Sequence, residues 1–580
     1  MPIEATFPPA LILLAGALLL PLLPRNCRSL FSLFIPLLAL GLVWLAPTGT
    51  HLTLALMDYH LVVYQVDQLS RIFGMIFALI TFIGCLFAFH VKEAAKQTAA
   101  LLYAAGALGV TFAGDFITLF VFWELMSLPS TYLIWARGTR ESEKSGMRYL
   151  MFHIFGGGLL FAGILAHTGE TGGILIEPLT ARTSLSSWLI LAGVALNAAV
   201  VPLHVWLSDA YPKATVTGAV FLSALTTKTA VYVLLRVFPG WEILIFLGVV
   251  MTLYGVVFAF LANDIREVLA YHIISQVGYM VAGAGIGTEL AINGASAHAF
   301  SHILYKALLF MGAGAVLQTT GKSKLTELGG LAQKQPLVLW LYMIGAFSIS
   351  GFPLFNGFIS KSMVIAAAGA AHYNLSMLFM LLASVGTFLS VGLKLPYATW
   401  YGQNRGLSPI PLPRNMVLAM AVTAFLCILY GIMPGLLYNR LPYQVHFAPY
   451  TFPHLMETSQ ILIFTFAAFW IFRKEIVGKA GITLDVDWFY RRPAKWVQRI
   501  FLEDLETAFN KVETLMIDTA HKLALLSNNP RALFTGSAGK KNYSPDAYRS
   551  SLQLLILLAL FGFVLISFWG LLSQIGVVTK

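Results

Sequence analysis

Sixteen stretches of this 580-residue chain are apolar for about 17–25 residues at a time. That repetition constrains the fold more than any motif does. A lipid bilayer offers the backbone no hydrogen-bond partners, so segments of this kind cross it as helices. The expected spans are 8–23, 29–47, 69–90, 97–114, 116–136, 147–168, 186–206, 214–236, 241–262, 268–286, 290–318, 336–371, 374–402, 416–437, 456–473 and 552–576. Hydrophobic residues make up 58% of the chain and charged residues 11%, against about 25% charged in a soluble domain. The fold class is an all-α polytopic membrane protein with about sixteen transmembrane helices. The twelfth span is too long for one crossing and is interrupted by SGFPLFNGF, Ser350 to Phe358, which predicts two half-helices joined by a break. The seventh ends in a similar signal, VPLHVWLSDAYPKA from Val201.

The net charge is +11, but its distribution is that of membrane topology and not of a nucleic-acid face. With the N-terminus outside, 28 of the 37 Lys and Arg fall on the inside. Only Arg71, Arg182, Arg236, Arg440 and Lys580 fall outside or at helix ends. The first apolar run carries its charge after it, at Arg25 and Arg28, and so reads as a retained helix and not a secretory leader. The expectation is a multi-pass protein of a bacterial inner (plasma) membrane, with both termini outside and residues 476–550 in the cytoplasm.

Residues 493–527 differ from the spans. Trp496, Ile500, Leu505, Phe509, Val512, Met516, Ala520 and Leu523 recur every three to five positions between charged residues. This predicts an amphipathic helix on the inside, lying on the membrane or along neighbouring helices. Polar, Gly- and Ser-bearing chain follows to about 550. Cys27, Cys85 and Cys427 lie far apart, with no CxxC or Cys/His spacing. No metal site and no cofactor site is expected, and any electron transfer belongs to other subunits. GKS at Gly321 to Ser323 lacks the glycine a phosphate loop needs, because position 316 is Val.

Ionisable residues inside spans carry the functional signal. Glu124 sits in LFVFWELMSLPS, an otherwise uncharged run, where an ionised carboxylate costs roughly 2.5–3.5 kcal/mol unless paired or hydrated. Lys228, His298, His302, Lys306, Lys361 and Lys394 are also internal. His298, His302 and Lys306 stand at i, i+4 and i+8, on one face of a helix. Histidine both takes and releases protons near neutral pH, so the stripe suits a relay. The bland reading is interhelical hydrogen bonding. Lys228 reads as a switchable charge or a static ion pair, and Lys394 as a relay member or a side chain snorkelling to the inside. His204 and Asp209 read as boundary residues.

The segments FVFWELMSL, VPLHVWLSDAYPKA, LTTKTAVYVLLR, NDIREVLAYHIISQVGYM, HAFSHILYKALLFMGAG and SGFPLFNGFISK occur in one order. Together they resemble the antiporter-like, proton-translocating membrane subunits of respiratory complex I and of Mrp-type cation/proton antiporters, with membrane hydrogenase subunits as further relatives. The resemblance covers about residues 65–437. It implies two inverted five-helix repeats, 97–240 and 241–402. Helices 1–3 at 1–96 precede them. Helices 14–15 at 403–475, the amphipathic segment and linker at 476–550 and a last helix at 551–580 follow. It also implies a midplane charge row of Glu124, Lys228, His298, His302, Lys306 and Lys361. The implied partners are other membrane subunits, the bilayer, and protons with Na+ as the alternative cation; nucleic acid is not among them.

One position departs from the pattern. Where the resemblance implies a lysine before the VPL break, the chain reads ALNAAVVPLH, with Asn197 in its place. Asparagine holds water but carries no charge. Glu124 is therefore expected to rely on Lys228 or on water. The expected function is a proton-translocating or cation/proton-antiporting subunit, with no redox site in this chain even if it serves an NADH:quinone oxidoreductase-like complex. The alternatives are a non-transporting structural subunit and a carrier component of inorganic-carbon uptake.

Overall fold

Three long helices of the first half begin where a short polar side chain replaces a missing backbone partner. The computed structural model describes residues 6–476, 485–528 and 551–574. The chain enters through α1 (Pro9–Leu19) and α2 (Arg25–Leu45). It then forms an antiparallel hairpin, β1 (Gly49–Leu56) and β2 (Tyr59–Val66). Helices α3 (Gln68–Phe87), α4 (Ala94–Phe112), α5 (Phe116–Trp135) and α6 (Arg140–Thr171) follow. Asp67 caps α3, Asp115 caps α5 and Thr139 caps α6, each accepting from a backbone N–H three residues on. Asp115 also accepts from Val62 N at 2.7 Å, which fixes the hairpin on the start of α5. The sequence pattern does not anticipate this hairpin.

Three of the expected crossings are interrupted. The seventh, α7 (Leu185–Asn197), breaks at 198–204, and the short α8 (Val205–Ala210) carries the chain out of the span. The eighth is α9 (Gly218–Ala224) and α10 (Thr226–Val237), parted at Leu225, where the sequence predicts one continuous helix. Then come α11 (Ile243–Leu261), α12 (Ile265–Ile286) and α13 (Glu289–Thr320). The twelfth crossing is α14 (Pro336–Ser350) and α15 (Asn356–Ala370), broken where SGFPLFNGF predicts. Both anticipated breaks hold a non-glycine residue at positive φ, Ala199 and Leu354. Helix α16 (Asn374–Thr387) runs on into π-helical turns at Phe388–Lys394 and Tyr397–Tyr401. Helices α17 (Arg414–Ile432), α18 (Gly435–Tyr438) and α19 (Phe452–Ile476) complete this part.

The chain forms two compact units, Met1–Asp485 and Val486–Lys580. The second contains α20 (Asp487–Gln498), a π-helical stretch at Arg499–Asp504, α21 (Leu505–Asn528) and α22 (Leu552–Gln574). The expected amphipathic helix is present, and Trp496, Phe509 and Met516 on its apolar stripe are all exposed. The expected linker at 529–550 lies outside the described residues.

Among the described residues twelve helices are long and apolar enough to cross a membrane, and three more apolar helices are shorter. The sequence predicts about sixteen crossings. The shortfall comes mainly from the halves of broken crossings and the short first helix. The interior of the bundle is made by α9–α10, α12 and α13, whose most apolar stretches are 100%, 100% and 94% buried. Close packing depends on small residues. α11 and α12 meet backbone to backbone at Gly248 and Gly278, where a Cβ on either would come within 2.5 Å of the other's carbonyl oxygen. Gly278→Val is expected to cost about 2 kcal/mol by overpacking. This would be seen as a lowered melting temperature in detergent, while Gly158→Ala, which meets nothing within 4 Å, leaves it unchanged.

Candidate functional site

Glu124 is placed by the cap at Asp115 and the run of α5, and it faces α6 at Gly157. A Cβ on residue 157 would collide with its Oε1, so the glycine makes the room for the carboxyl. Oε1 is buried and has no protein partner. Among the described residues Glu124 makes no ion pair. Of the two expected supports, Lys228 or water, the Lys228 contact is not formed: Lys228 Nζ bonds Ser223 O and Thr227 Oγ1 instead. Asn197, the last residue of α7, is also buried with its Oδ1 unpartnered.

His153 belongs in this description, although sequence reasoning does not single it out. It is buried on α6, one turn before Gly157, and its Nδ1 donates to Tyr149 O at 2.9 Å. The carbonyl can only accept, so Nδ1 carries the hydrogen and Nε2, which has no partner, is the basic nitrogen. The available signal is a lone histidine in an apolar helix four residues from a glycine.

Lys228 sits just after the parting at Leu225. That parting removes the helical partner of Ser223 O, and Lys228 Nζ donates to it at 2.5 Å and to Thr227 Oγ1 at 3.1 Å. Lys361 repeats the arrangement across the α14–α15 break. Its Nζ donates to Ile349 O at 2.6 Å and to Ser384 Oγ at 3.4 Å, 5.6 Å from the Tyr279 ring. Lys394 is buried and does not snorkel; it holds the terminal carbonyls of α11, Phe260 O and Ala262 O, the latter at 3.2 Å.

Between these lysines runs the stripe of α13. His298 Nδ1 lies 3.3 Å from Ser360 Oγ. His298 Nε2, both nitrogens of His302 and Nζ of Lys306 have no protein partner. The His298 and His302 rings are 6.3 Å apart, and Tyr305 lies 5.2 Å from His302. His298, His302 and Tyr305 form one buried cluster along α13, with Lys306 buried one turn beyond His302 on the same helix. The structure adds two members from α12 that the sequence does not mark. His272 Nε2 meets Ser390 Oγ at 2.5 Å. Gln276 accepts from Tyr305 OH at 3.3 Å and donates to Thr387 Oγ1 at 3.4 Å. Both lie in NDIREVLAYHIISQVGYM, four residues apart. Buried polar atoms of this kind need water where protein supplies no partner. No three His, Cys, Asp or Glu side chains converge on one point among the described residues.

Of two residues that read as boundary positions, Asp209 is fixed by ion pairs and His204 by a hydrogen bond. Asp209, beyond the end of the seventh span, binds Arg148 at 2.7 Å and Lys213 at 2.6 Å. Burial pushes its carboxyl up, but the two cations outweigh this and hold it at about 2. His204, at the first break, lies 3.2 Å from Asp485. Asp485 also accepts from Tyr254 OH and, at 2.6 Å, from Tyr271 OH. Burial raises the Asp485 carboxyl, and these hydrogen bonds together bring it down to about 2.

Residues 113–390 match the family described as NADH:quinone oxidoreductase/Mrp antiporter, TM. An uncharacterized protein of Methanocaldococcus jannaschii is 31% identical over 376 residues, covering 59% of this chain and 76% of that protein. The chain belongs to this family. It is a multi-pass membrane protein, as the family and its apolar helices together require. A component of a Na(+)/H(+) antiporter from Alkalihalophilus pseudofirmus is 35% identical over 46% of this chain and 57% of that protein. The fold matches a chain in the structure of the Mrp complex from Dietzia sp. DQ12-45-1b with a TM-score of 0.67, at 22% identity, over 79% of this chain and 99% of that one.

Lys228→Met removes the donor to a buried carbonyl and is expected to destabilise the protein by about 1–3 kcal/mol. Lys306→Met removes a group with no protein partner and leaves stability unchanged or raised, both read as melting temperatures. Asp209→Asn lowers the melting temperature at neutral pH. The folded carboxyl titrates below its unfolded value near 3.9, so its stabilisation is complete above about pH 4. It is lost as pH falls toward about 2, and the difference from wild type shrinks over that window.

Proposed function

We propose that this chain is a proton-translocating or cation/proton-antiporting membrane subunit of a multisubunit complex of the Mrp and complex I type. One observation carries the reading: a series of ionisable groups, half-buried at Glu124 and buried from Lys228 through Lys306, His302 and His298 to Lys361, in which five polar atoms are enclosed without a protein partner. Groups so placed require water, and water between titratable side chains passes protons along hydrogen bonds. Lys228 and Lys361 hold carbonyls freed at helix interruptions, and each can let go when charge moves nearby. Lys306, with no such anchor, joins them as the element most easily changed in charge.

The two halves, 97–240 and 241–402, are proposed as inverted repeats. The equivalence of the breaks at 198–204 and 351–355 supports this. The N-terminus is proposed to lie outside, by the positive-inside distribution. The partners are other membrane subunits, and the moved ion is the proton, with Na+ as the cation for exchange.

A second reading is favoured by Glu124 itself. Among the described residues its carboxyl has no cation, and Asn197 stands where the resemblance implies a lysine, as expected of a subunit kept for assembly. The two separate by experiment. Glu124→Gln and Lys361→Ala in the purified, reconstituted complex are each expected to lower proton or Na+ flux about tenfold or more, the size of effect a positioned proton carrier exerts. Flux untouched by both substitutions rejects transport through this row. Asn197→Lys raising flux from zero identifies the structural subunit.

A further inference from the structure

The proposed row leaves out His153 of α6, which lies beside its first member. The residue is 2% exposed, and its Nε2 is enclosed with no protein partner. Two more enclosed, unpartnered atoms belong to its neighbours: Oε1 of Glu124 and Oδ1 of Asn197. Positions 153 and 157 stand one turn apart on one face of α6, roughly 6 Å between their Cβ positions. A Cβ at 157 would collide with Glu124 Oε1, so the carboxyl lies about one turn along the helix from the imidazole. The ring is held on two sides, by Tyr149 stacked at 4.0 Å and by Trp206 edge-on at 4.7 Å. Trp206 Nε1 donates to Leu196 O at 2.9 Å, and a Cβ on Gly156 would come within 3.1 Å of the Leu196 side chain. This turn of α6 therefore packs on the end of α7 where Asn197 stands. Tyr149 leads on toward the next member, since its OH lies 3.4 Å from Thr226 Oγ1, two residues before Lys228. The nearby cations are committed, Arg148 and Lys213 to Asp209 and Lys228 to Ser223 O. Tyr149 and Tyr211, which stacks on the far side of this group at Trp206, add only neutral phenols.

We propose that His153 is a proton carrier of the first half and, when its imidazole is charged, the cation that answers Glu124. The inference rests on the proposed role of the row and adds a member to it. Nδ1 keeps its hydrogen on Tyr149 O throughout, so only Nε2 changes state. Its lone pair binds a proton delivered by water, and the imidazolium then faces the carboxylate across that water. When the proton leaves, the N–H bond breaks and the electron pair stays on nitrogen. Water carries the proton on toward Tyr149 OH and Thr226. An ionised Glu124 favours the loaded imidazole, and a protonated one favours release. The carboxylate and the imidazole thus exchange charge without a lysine between them.

The test uses the intact complex in proteoliposomes. His153→Asn keeps a donor for Tyr149 O and removes the basic nitrogen, and proton flux is expected to fall about tenfold or more. Adding Asn197→Lys to His153→Asn supplies a cation from the end of α7 and is expected to recover most of that flux. Packing damage on α6 is not repaired by a lysine on α7, so flux that falls without rescue marks a structural role and overturns the carrier. Where the variants do not assemble, the wild-type complex decides. Exchange of the imidazole C2 hydrogen in D2O requires both an imidazolium and water. His153 is expected to exchange within about tenfold of the exposed His446, and slower exchange overturns the carrier. Flux lost in Glu124→Gln but kept at the wild-type level in His153→Asn overturns this inference and leaves the row standing. A wild-type complex that moves no proton overturns the row, and the carrier with it.

Discussion

Lys228, Lys361, Lys394 and Arg266 are all buried in the bundle, and each is answered in the same way, by the carbonyl oxygens where a helix or loop ends. Lys228 takes Ser223 O and Lys361 takes Ile349 O. Lys394 takes the end of α11, and Arg266 takes Tyr211, Ala214 and Thr215 O. The last turn of a helix carries partial negative charge on carbonyls that have no intrahelical donor. At bilayer depth such carbonyls exist only where a helix is interrupted. The breaks and the buried cations therefore depend on one another. An intact helix would leave the cation uncompensated, and an apolar residue would leave the carbonyl unsatisfied, at about 1–3 kcal/mol each.

The same logic sorts the charge row into two kinds of member. Lys228 and Lys361 flank the row, each tied to an interruption. The stripe of α13 lies on an uninterrupted, almost wholly buried helix, where no carbonyl is free to accept from Lys306. Its histidines and lysine can be satisfied only by water or by one another. Rigid surroundings hold them in place: α12 and α13 are buried along almost their full lengths, and α12 packs against α11 at glycines with no side chain between. A fixed scaffold with unsatisfied polar atoms at its centre leaves those atoms to water, as the proposed proton path requires, whereas a fully satisfied interior would be a dry core.

Much of this is legible in the chain. The helical class, the two breaks at Val201 and Ser350, the i, i+4, i+8 stripe and the amphipathic segment all follow from local patterning, which lipid makes unusually strict. The failures share one cause: they depend on residues distant in sequence. The hairpin at Gly49–Val66 is held by Asp115, and the parting at Leu225 is matched by a lysine whose partner is a carbonyl and not a carboxylate. A Glu124–Lys228 pairing follows from charge alone, and charge does not tell which acceptor a lysine finds. His153, His272 and Gln276 sit in helices like any other polar residue, and only packing shows which of them face the row. Asp485 is invisible for the same reason, since its partners lie more than 200 residues away.

That distance has a consequence for how the protein is made. His204 lies at the first break, beside Tyr254 and near Tyr271, and all three are synthesised long before the residue that joins them. Asp485 is the 281st residue that a ribosome adds after His204. Throughout that interval the first interrupted crossing stands in the membrane without its acid, and a segment far downstream supplies it. The nascent bundle is therefore incomplete at this corner until every intervening helix has been inserted. A corner laid down early thus matures late.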